Sequence, residues 1–407
     1  MLRPHMDAAV RAAWRAHGHV APNPTVGCAI VAPNGERIAL AAHQRNGGPH
    51  AERLALDAAG PAARGATAVV TLEPCDHVGR QPACSGGLIE AGIARVVYAV
   101  ADPNPLAAGG AASLRAAAIA CDPWTAHTGA RHLAARFVHR ITTGRPWVTV
   151  KWATTIDGAI AARTGHSQWI SGAQSRRLVH RERGRVDAIL TGIGTILADD
   201  AELTPRHVPV RRVPHRVVVD PRFRTPPGGR LLRASGPAAG PVLIAGAASR
   251  LKAGGPAIDA LRAAGAELLG LPDVPRAGTG TGAGAGVGFG TGTGARGGAD
   301  ALAAVAGRDV HPHIDLGGLL EQLAGRGMSE VLVEAGGGVA GGLLAGGHVQ
   351  ELWTFTGPPI LGDAEAMRPA AGASVATIDA AARGELVSVH RRGGDVMTRW
   401  YLPSTAS

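Results

Sequence analysis

Residues 66–84 read ATAVVTLEPCDHVGRQPAC, an apolar run that ends in Glu73-Pro74-Cys75 and reaches a second cysteine, Cys84, nine positions later. Upstream, Pro49-His50-Ala51-Glu52 stands where a helix should begin, with proline just ahead of its first turn. One imidazole and two thiolates make a three-ligand zinc site whose fourth position stays open, the arrangement of catalytic zinc. Glu52 is not needed as a ligand and suits proton transfer between an attacking water and a departing amine. A closed four-ligand knot is the competing reading, with His77 in the intervening loop as the fourth donor.

Outward from this centre, helix and strand alternate. Helices are expected at about 7–18, from near Pro49 and from near Cys84, with strands at 26–32, 66–73 and 94–102. That pattern argues for a helix-flanked α/β sheet. A second series starts after Gly144-Arg145-Pro146, with strands expected at 147–153, 186–192, 215–220, 241–246 and 330–336. A chain of 407 residues also exceeds the roughly 250–300 at which one core stops growing. The expectation is two α/β domains, residues 1–145 and 146–407. Within the second, about 273–311 reads as a low-complexity insertion, because AGTGTGAGAGVGFGTGTGARGGAD offers almost nothing to bury.

The net charge is +10, but the 41 Lys and Arg are nearly all arginine, spread along the chain and without interleaved aromatics. This argues against nucleic acid as a partner and for phosphorylated small molecules. Four cysteines do not make a disulfide framework; Cys28 and Cys121 have no ligand-like company and read as small core or surface residues. The N-terminus, MLRPHMDAAVRAAWRAHGHV, has no apolar signal core, and no apolar run is long enough for a membrane span. A cytoplasmic protein without membrane contact is expected.

His-x-Glu followed by Pro-Cys and a second Cys is the signature of zinc deaminases, here with eight residues between the cysteines instead of two. The long loop Cys75–Cys84, together with APNPTVGC at 21–28 and GGPHAE at 47–52, resembles the bacterial riboflavin-biosynthesis deaminase–reductases. The resemblance continues through KWATTIDG (151–158), HSQWI (166–170), TGIGTILADD (191–200) and VLVEAGGG (331–338). It implies a cytidine-deaminase-like three-layer domain followed by a dihydrofolate-reductase-like domain. Zinc would sit on His50, Cys75 and Cys84, with Glu52 catalytic and Asn23 approaching the pyrimidine. His43 lies in a loop that the family places near this site, although a plain structural histidine reads equally well.

In the second half, the resemblance implies NADPH on Ala153, Trp169, Thr195, Asp199 and the segment Gly336, Gly337, Gly338, Val339, Ala340, Gly341 and Gly342. Substrate would meet Ser167, Arg183, Leu203, Arg206 and Glu334. Physics supports parts of this independently. A buried strand ending in glycines lets backbone approach a pyrophosphate at the start of the next helix, and guanidinium forks match phosphate oxygens. Arg222 and Arg224 follow a strand end and are candidates for the cofactor's 2′-phosphate.

The chain departs from the family pattern at several points. Ala83 and its neighbours replace the usual Thr-Pro-Pro before the second cysteine, and Arg53 stands at an apolar position. Ala201 replaces proline, Pro221 replaces serine, and Gly337-Gly338-Val339 replaces a bulkier run. The implied activity is deamination of a ribosylaminopyrimidinone 5′-phosphate, then NADPH reduction of its ribosyl group, in a homo-oligomer built through the reductase domain. The alternatives are a paralogue acting on a related pyrimidine or a deaminase with a degenerate second domain. A protein keeping zinc only for folding would have no use for Glu52.

Overall fold

The computed structural model describes residues 2–79, 81–274, 314–372, 375 and 377–402. The insertion expected at about 273–311 lies, apart from Asp273 and Val274, outside the described residues. An isolated antiparallel pairing of Asp273 with Ile314 brings its two flanks together.

Strands β1 (Gly27–Val31), β2 (Arg37–Ala42), β3 (Thr67–Val70), β4 (Arg95–Tyr98) and β5 (Ala120–Pro123) form one sheet in the order β2-β1-β3-β4-β5. β1 runs antiparallel to β2 and β3, while β3, β4 and β5 are parallel. Both faces are covered, which is why β1 reads as an unbroken apolar run. On one face Ala29, Val31 and Val69 pack with α1 (Arg3–Trp14) and α5 (Thr128–Thr143). On the other, Cys28, Ile30, Ala68 and Val70 pack with α2 (Ala51–Ala59), α3 (Cys84–Glu90) and α4 (Gly110–Ala116). Cys28 and Cys121 are buried packing residues.

The first helix lies N-terminal of its expected place at about 7–18. Pro4 occupies its first turn, where no backbone N–H is needed, and the helix ends at Trp14, ahead of the left-handed Gly18. Sequence reading also missed β2 and β5, whose mixed exposure lacks a clean alternation.

The second sheet contains β6 (Trp147–Thr154), β7 (Ala188–Gly192), β8 (His215–Val219), β9 (Val242–Ala247), β10 (Glu267–Leu271), β11 (Glu330–Val333), β12 (Glu351–Thr356), β13 (Glu385–Arg392) and β14 (Asp395–Tyr401). Its order is β10-β9-β8-β7-β11-β6-β12-β14-β13, parallel from β10 to β12 and antiparallel thereafter. Helices α6 (Ala173–Arg183), α7 (Ile193–Asp199), α8 (Arg230–Arg233), α9 (Ala248–Ala253), α10 (Pro256–Ala263), α11 (Leu316–Gly325) and α12 (Gly337–Ala345) connect the strands. The five expected strands are present. The last ends early, at Val333, because the chain turns there and Gly336 caps α12.

The halves meet over buried charge. Arg136 of α5 reaches Glu330 (2.9 Å) and Glu351 (2.7 Å) in the second sheet. Arg399 also pairs with Glu351, and Trp147, Thr149 and Trp353 donate hydrogen bonds to it. Burial works against ionisation of Glu351, yet Arg136 and Arg399 hold its carboxyl at about 2. His17 stands 3.6 Å from Glu182 and 3.5 Å from Glu330 in the same cluster.

Candidate active sites

Three elements bring the first site together. His50 is the residue that caps the start of α2, Cys75 follows β3 across the turn at Glu73-Pro74, and Cys84 opens α3. Their donor atoms all lie within 4.8 Å of one another, with His50 Nδ1 3.3 Å from Cys84 Sγ and 3.6 Å from Cys75 Sγ. A borderline-soft divalent ion suits such a set, so the donor chemistry fits zinc. His77 is exposed and not part of this group, which leaves the closed knot without its fourth donor.

The loop between the cysteines is fixed at its root. Asp76 accepts hydrogen bonds from Ser85 (2.5 Å) and Ser113 (2.7 Å), and these hold its carboxyl below the usual range. Glu73 accepts from the backbone N–H of Ala111 (3.1 Å) and Asp102 (3.2 Å), tying the strand end to α4. Gly110 makes this approach possible, since a Cβ there would stand 1.9 Å from the Pro74 carbonyl oxygen.

Glu52, in the first turn of α2, is only 4% exposed. Burial raises its carboxyl to about 7, the range in which a group both takes and gives a proton near neutrality. Cys75 is pulled down to about 4, first by hydrogen bonding with Cys84 and further by His50. That same bond, with burial, drives Cys84 up.

A cavity of about 510 Å³ opens on these groups. Asn23, His43, His50, Glu52, Cys75 and His77 all line it. His43 is buried and donates from Nδ1 to the Pro49 carbonyl (2.9 Å), so its Nε2 is the acceptor facing the Asn23 amide at 3.4 Å. The histidine is thus structural and also part of the pocket. Asn46, Gln81, Asp102, Asn104, Phe137 and Arg140 line the cavity too, and sequence reading did not single them out. Gln81 lies in the Cys75–Cys84 loop already singled out; the others come from separate loops and from α5, and no local motif marks them.

In the second half, Ala153 lies near the carboxyl end of β6, Thr195 in α7 directly after β7, and Glu334 directly after β11. Arg183 and Glu334, 151 positions apart, form a two-pronged pair at 2.5 and 3.0 Å. Although burial opposes it, Arg183 holds the Glu334 carboxyl at about 2. Lys151 on β6 feels the charge of both, and it too was not assigned from sequence. Arg206 is exposed and pairs with Glu202 at 3.2 Å, while its backbone N–H reaches His180 of α6. Ser167 is half-buried nearby in sequence to Gln168, whose amide donates to Asp199 at 3.2 Å. The side chain of Leu203 is buried in the core, leaving its backbone as the part able to meet a ligand.

Trp169 is 67% exposed and carries Arg176 4.4 Å from its ring centre. Thr195 is half-buried in α7, and Ala153 lies near the end of β6. The glycines ahead of and within α12 divide by role. Gly336 has open space where a Cβ would stand. Gly337 and Gly341 instead face the chain at 368–371: a Cβ would stand 2.6 Å from the Arg368 oxygen and 1.9 Å from the Ala371 oxygen. Val339 and Ala340 are buried, and Gly338 and Gly342 are half-buried. Arg222 and Arg224 are exposed beyond β8.

A family model described as the cytidine and deoxycytidylate deaminase zinc-binding region matches residues 2–100. Another, described as the RibD C-terminal domain, matches 146–249 and 293–398. Among curated proteins, riboflavin biosynthesis protein RibD of Actinobacillus pleuropneumoniae is 33% identical over 98% of this chain and 95% of its own length. RibD of Escherichia coli (strain K12) is 34% identical over 88% of each. RibD of Aquifex aeolicus is 44% identical over 56% of this chain, a stretch spanning 64% of that relative. Two solved structures each cover 98% of this chain. Acinetobacter baumannii RibD has a TM-score of 0.73 at 30% identity, over 98% of its own chain. A Thermotoga maritima diaminohydroxyphosphoribosylaminopyrimidine deaminase/5-amino-6-(5-phosphoribosylamino)uracil reductase has 0.73 at 28%, over 97% of its own.

Proposed function

Because this chain belongs to the RibD family of riboflavin biosynthesis proteins, we propose that it catalyses two successive steps on one pyrimidine. The first deaminates 2,5-diamino-6-ribosylamino-4(3H)-pyrimidinone 5′-phosphate; the second reduces the ribosyl group to ribityl, giving 5-amino-6-(5-phosphoribitylamino)uracil. The observation that carries this reading is a cavity lined by His50, Cys75 and Glu52, with Cys84 completing the donor trio behind its wall, in a chain that also matches the reductase domain. The domains are taken as residues 1–145 and 146–407.

When bound, zinc supplies an activated water and NADPH supplies a hydride. His50, Cys75 and Cys84 would hold the metal, and their convergence supports that assignment. Glu52, buried beside Cys84, takes the proton of the attacking water and passes it to the amine that leaves as ammonia. Asn23 commits its amide nitrogen to His43 and offers its carbonyl oxygen to an amino-bearing ring.

Beside the second sheet, exposed Arg206 suits the 5′-phosphate, while Arg183, held to Glu334 and to the Thr204 oxygen, meets the substrate as the Arg183–Glu334 pair. Ser167 and the backbone at Leu203 complete the substrate side. Ala153, Trp169, Thr195, Asp199 and the Gly336–Gly342 segment take NADPH, with Gly336 leaving room for its pyrophosphate. Among the described residues no helix is long and apolar enough to cross a membrane. We place the protein in the cytoplasm, without nucleic acid partners. A homo-oligomer through the second domain is part of the proposal; exposed Leu386, Val389 and Val396 along the β13–β14 edge favour it.

Product analysis tests the assignment. Purified protein given the diaminopyrimidinone without NADPH should release ammonia and accumulate the deaminated ribosyl compound. Adding NADPH should convert that compound to the ribityl product, one cofactor per turnover. No ammonia from this substrate would refute the reading.

A further inference from the structure

The wall of the deaminase cavity that carries Asn23 is held from the other half of the molecule. Pro22, Asn23 and Pro24 line the cavity and lie on the connection from α1 to β1. Two neighbouring arginines of the second half grip this connection by its carbonyls. Arg211 donates from Nη1 to the oxygens of Arg15 (2.6 Å) and His17 (2.8 Å). Arg212 donates from Nη2 to the oxygen of Ala21 at 2.9 Å, two residues before Asn23.

The grip is anchored. Arg212 also pairs through Nη1 with Asp187. The second oxygen of Asp187 accepts from Ser329 N (2.8 Å), Ser329 Oγ (2.8 Å) and Glu330 N (3.0 Å), at the starts of β7 and β11. The backbone of Arg211 and Arg212 is fixed separately, by bonds from both N–H groups to the Gly184 oxygen. Loss of the Arg212 side chain would therefore remove the hold on Ala21, while Arg211 keeps Arg15 and His17 and the segment carrying both arginines stays in place. The Asn23 N–H reaches the Val20 oxygen at 3.0 Å, but that bond lies within the connection and moves with it; from outside, Arg140 of α5 reaches Pro22 O only at 3.4 Å and His43 meets Asn23 at 3.4 Å, so neither replaces the 2.9 Å bond from Arg212.

We propose that Arg212, in the reductase half, is a positioning residue for deamination: it fixes Ala21 and so sets the place of Asn23 in the deaminase cavity. Its two prongs point to two different acceptors, which an ammonium cannot reproduce in one fixed plane. This rests on the reading of the first site as a deaminase that uses Asn23.

The test measures both activities in the full chain, with zinc content and thermal midpoint recorded for each variant. The wild-type protein is assayed first; if it releases no ammonia, the functional reading fails before this inference is reached. Arg212→Ala should raise the deaminase KM by about five- to twenty-fold, the loss of one charged hydrogen bond from uniform binding. Deaminase kcat, zinc content and the reductase constants should stay within about two-fold. Arg212→Lys should restore part of the KM. In an Asn23→Ala background the same replacement should add less than about two-fold, because the two residues act in series. Should Arg212→Ala fold poorly, Arg212→Lys alone and in the Asn23→Ala background carries the same comparison. An unchanged deaminase KM in a folded variant would overturn the inference. Equal losses in both activities, or full additivity with Asn23→Ala, would overturn it as well.

Discussion

The two candidate sites are built in opposite ways. The first is local: the three candidate donors and Glu52 lie between residues 50 and 84, at the start of α2, in the segment after β3 and at the start of α3. The second is assembled across a sheet, and its Arg183–Glu334 pair joins residues 151 positions apart. A local site announces itself by spacing, because the ligands need only one strand and two helix starts. A distributed site depends on the register of β7, β11 and β6, which no short stretch of sequence encodes.

The largest expected effect falls on the local site. Glu52→Gln keeps the trio of donors but removes the proton relay, so ammonia release should fall by roughly 10²–10⁴. Zinc content and NADPH-dependent reduction of already deaminated substrate should be unchanged. Near-normal deamination by this variant would move the proton chemistry to another group.

Next in size is the charge cluster joining the halves. Arg136→Met leaves Glu330 and Glu351 buried without their shared cation. Breaking a buried pair from one side costs about 3–5 kcal/mol, read here from urea unfolding. The same cluster sets an acid limit. Glu351 ionises at about 2 in the folded chain, below its ordinary 4.5. Its stabilising share is therefore fully present above 4.5 and is lost as pH falls towards 2. Glu351→Gln should flatten that acid limb in a pH series of thermal midpoints; an unaltered limb would assign it to other carboxylates.

Smaller and more selective effects belong to the distributed site. Arg206 is exposed, so Arg206→Ala should spare the fold and raise the KM for the deaminated substrate by about ten-fold, with NADPH affinity within two-fold. Gly341→Ala tests the packing role of the α12 glycines, because its Cβ would meet the Ala371 oxygen at 1.9 Å. It should loosen NADPH and lower the thermal midpoint together. Gly336→Ala, with open space around it, should affect NADPH alone.

How much was legible in the sequence follows the same division. His50, Glu52, Cys75 and Cys84 were readable because each stands at a fixed offset from a strand end or helix start, and the structure brings the three donors within 4.8 Å. Phe137, Arg140, Asp102 and Asn104 were not, since α5 and the β4–α4 connection reach the cavity only through folding. The glycines of VLVEAGGG looked alike in sequence, yet Gly336 faces open space and Gly337 faces the Arg368 carbonyl. β13 and β14 were missed because their pattern of exposure is irregular, and β12 because one of its alternating buried positions is the charged Glu351; Leu203 hides its side chain in the core. The grip of Arg211 and Arg212 on Ala21 and its neighbours joins residues nearly two hundred positions apart and leaves no local trace.

The separate requirements of the two sites can be tested most directly by removing zinc from the full chain with a chelator and assaying each step. Ammonia release from the diaminopyrimidinone should disappear and return when zinc is restored. NADPH oxidation with already deaminated substrate should stay within about two-fold of the untreated protein, because Arg183 at the end of α6, Arg206 after α7 and Glu334 after β11 all lie outside the metal trio. Deamination that survives full zinc removal, or reduction that is lost with the metal while the protein stays folded, would contradict the assignment of two chemically independent sites.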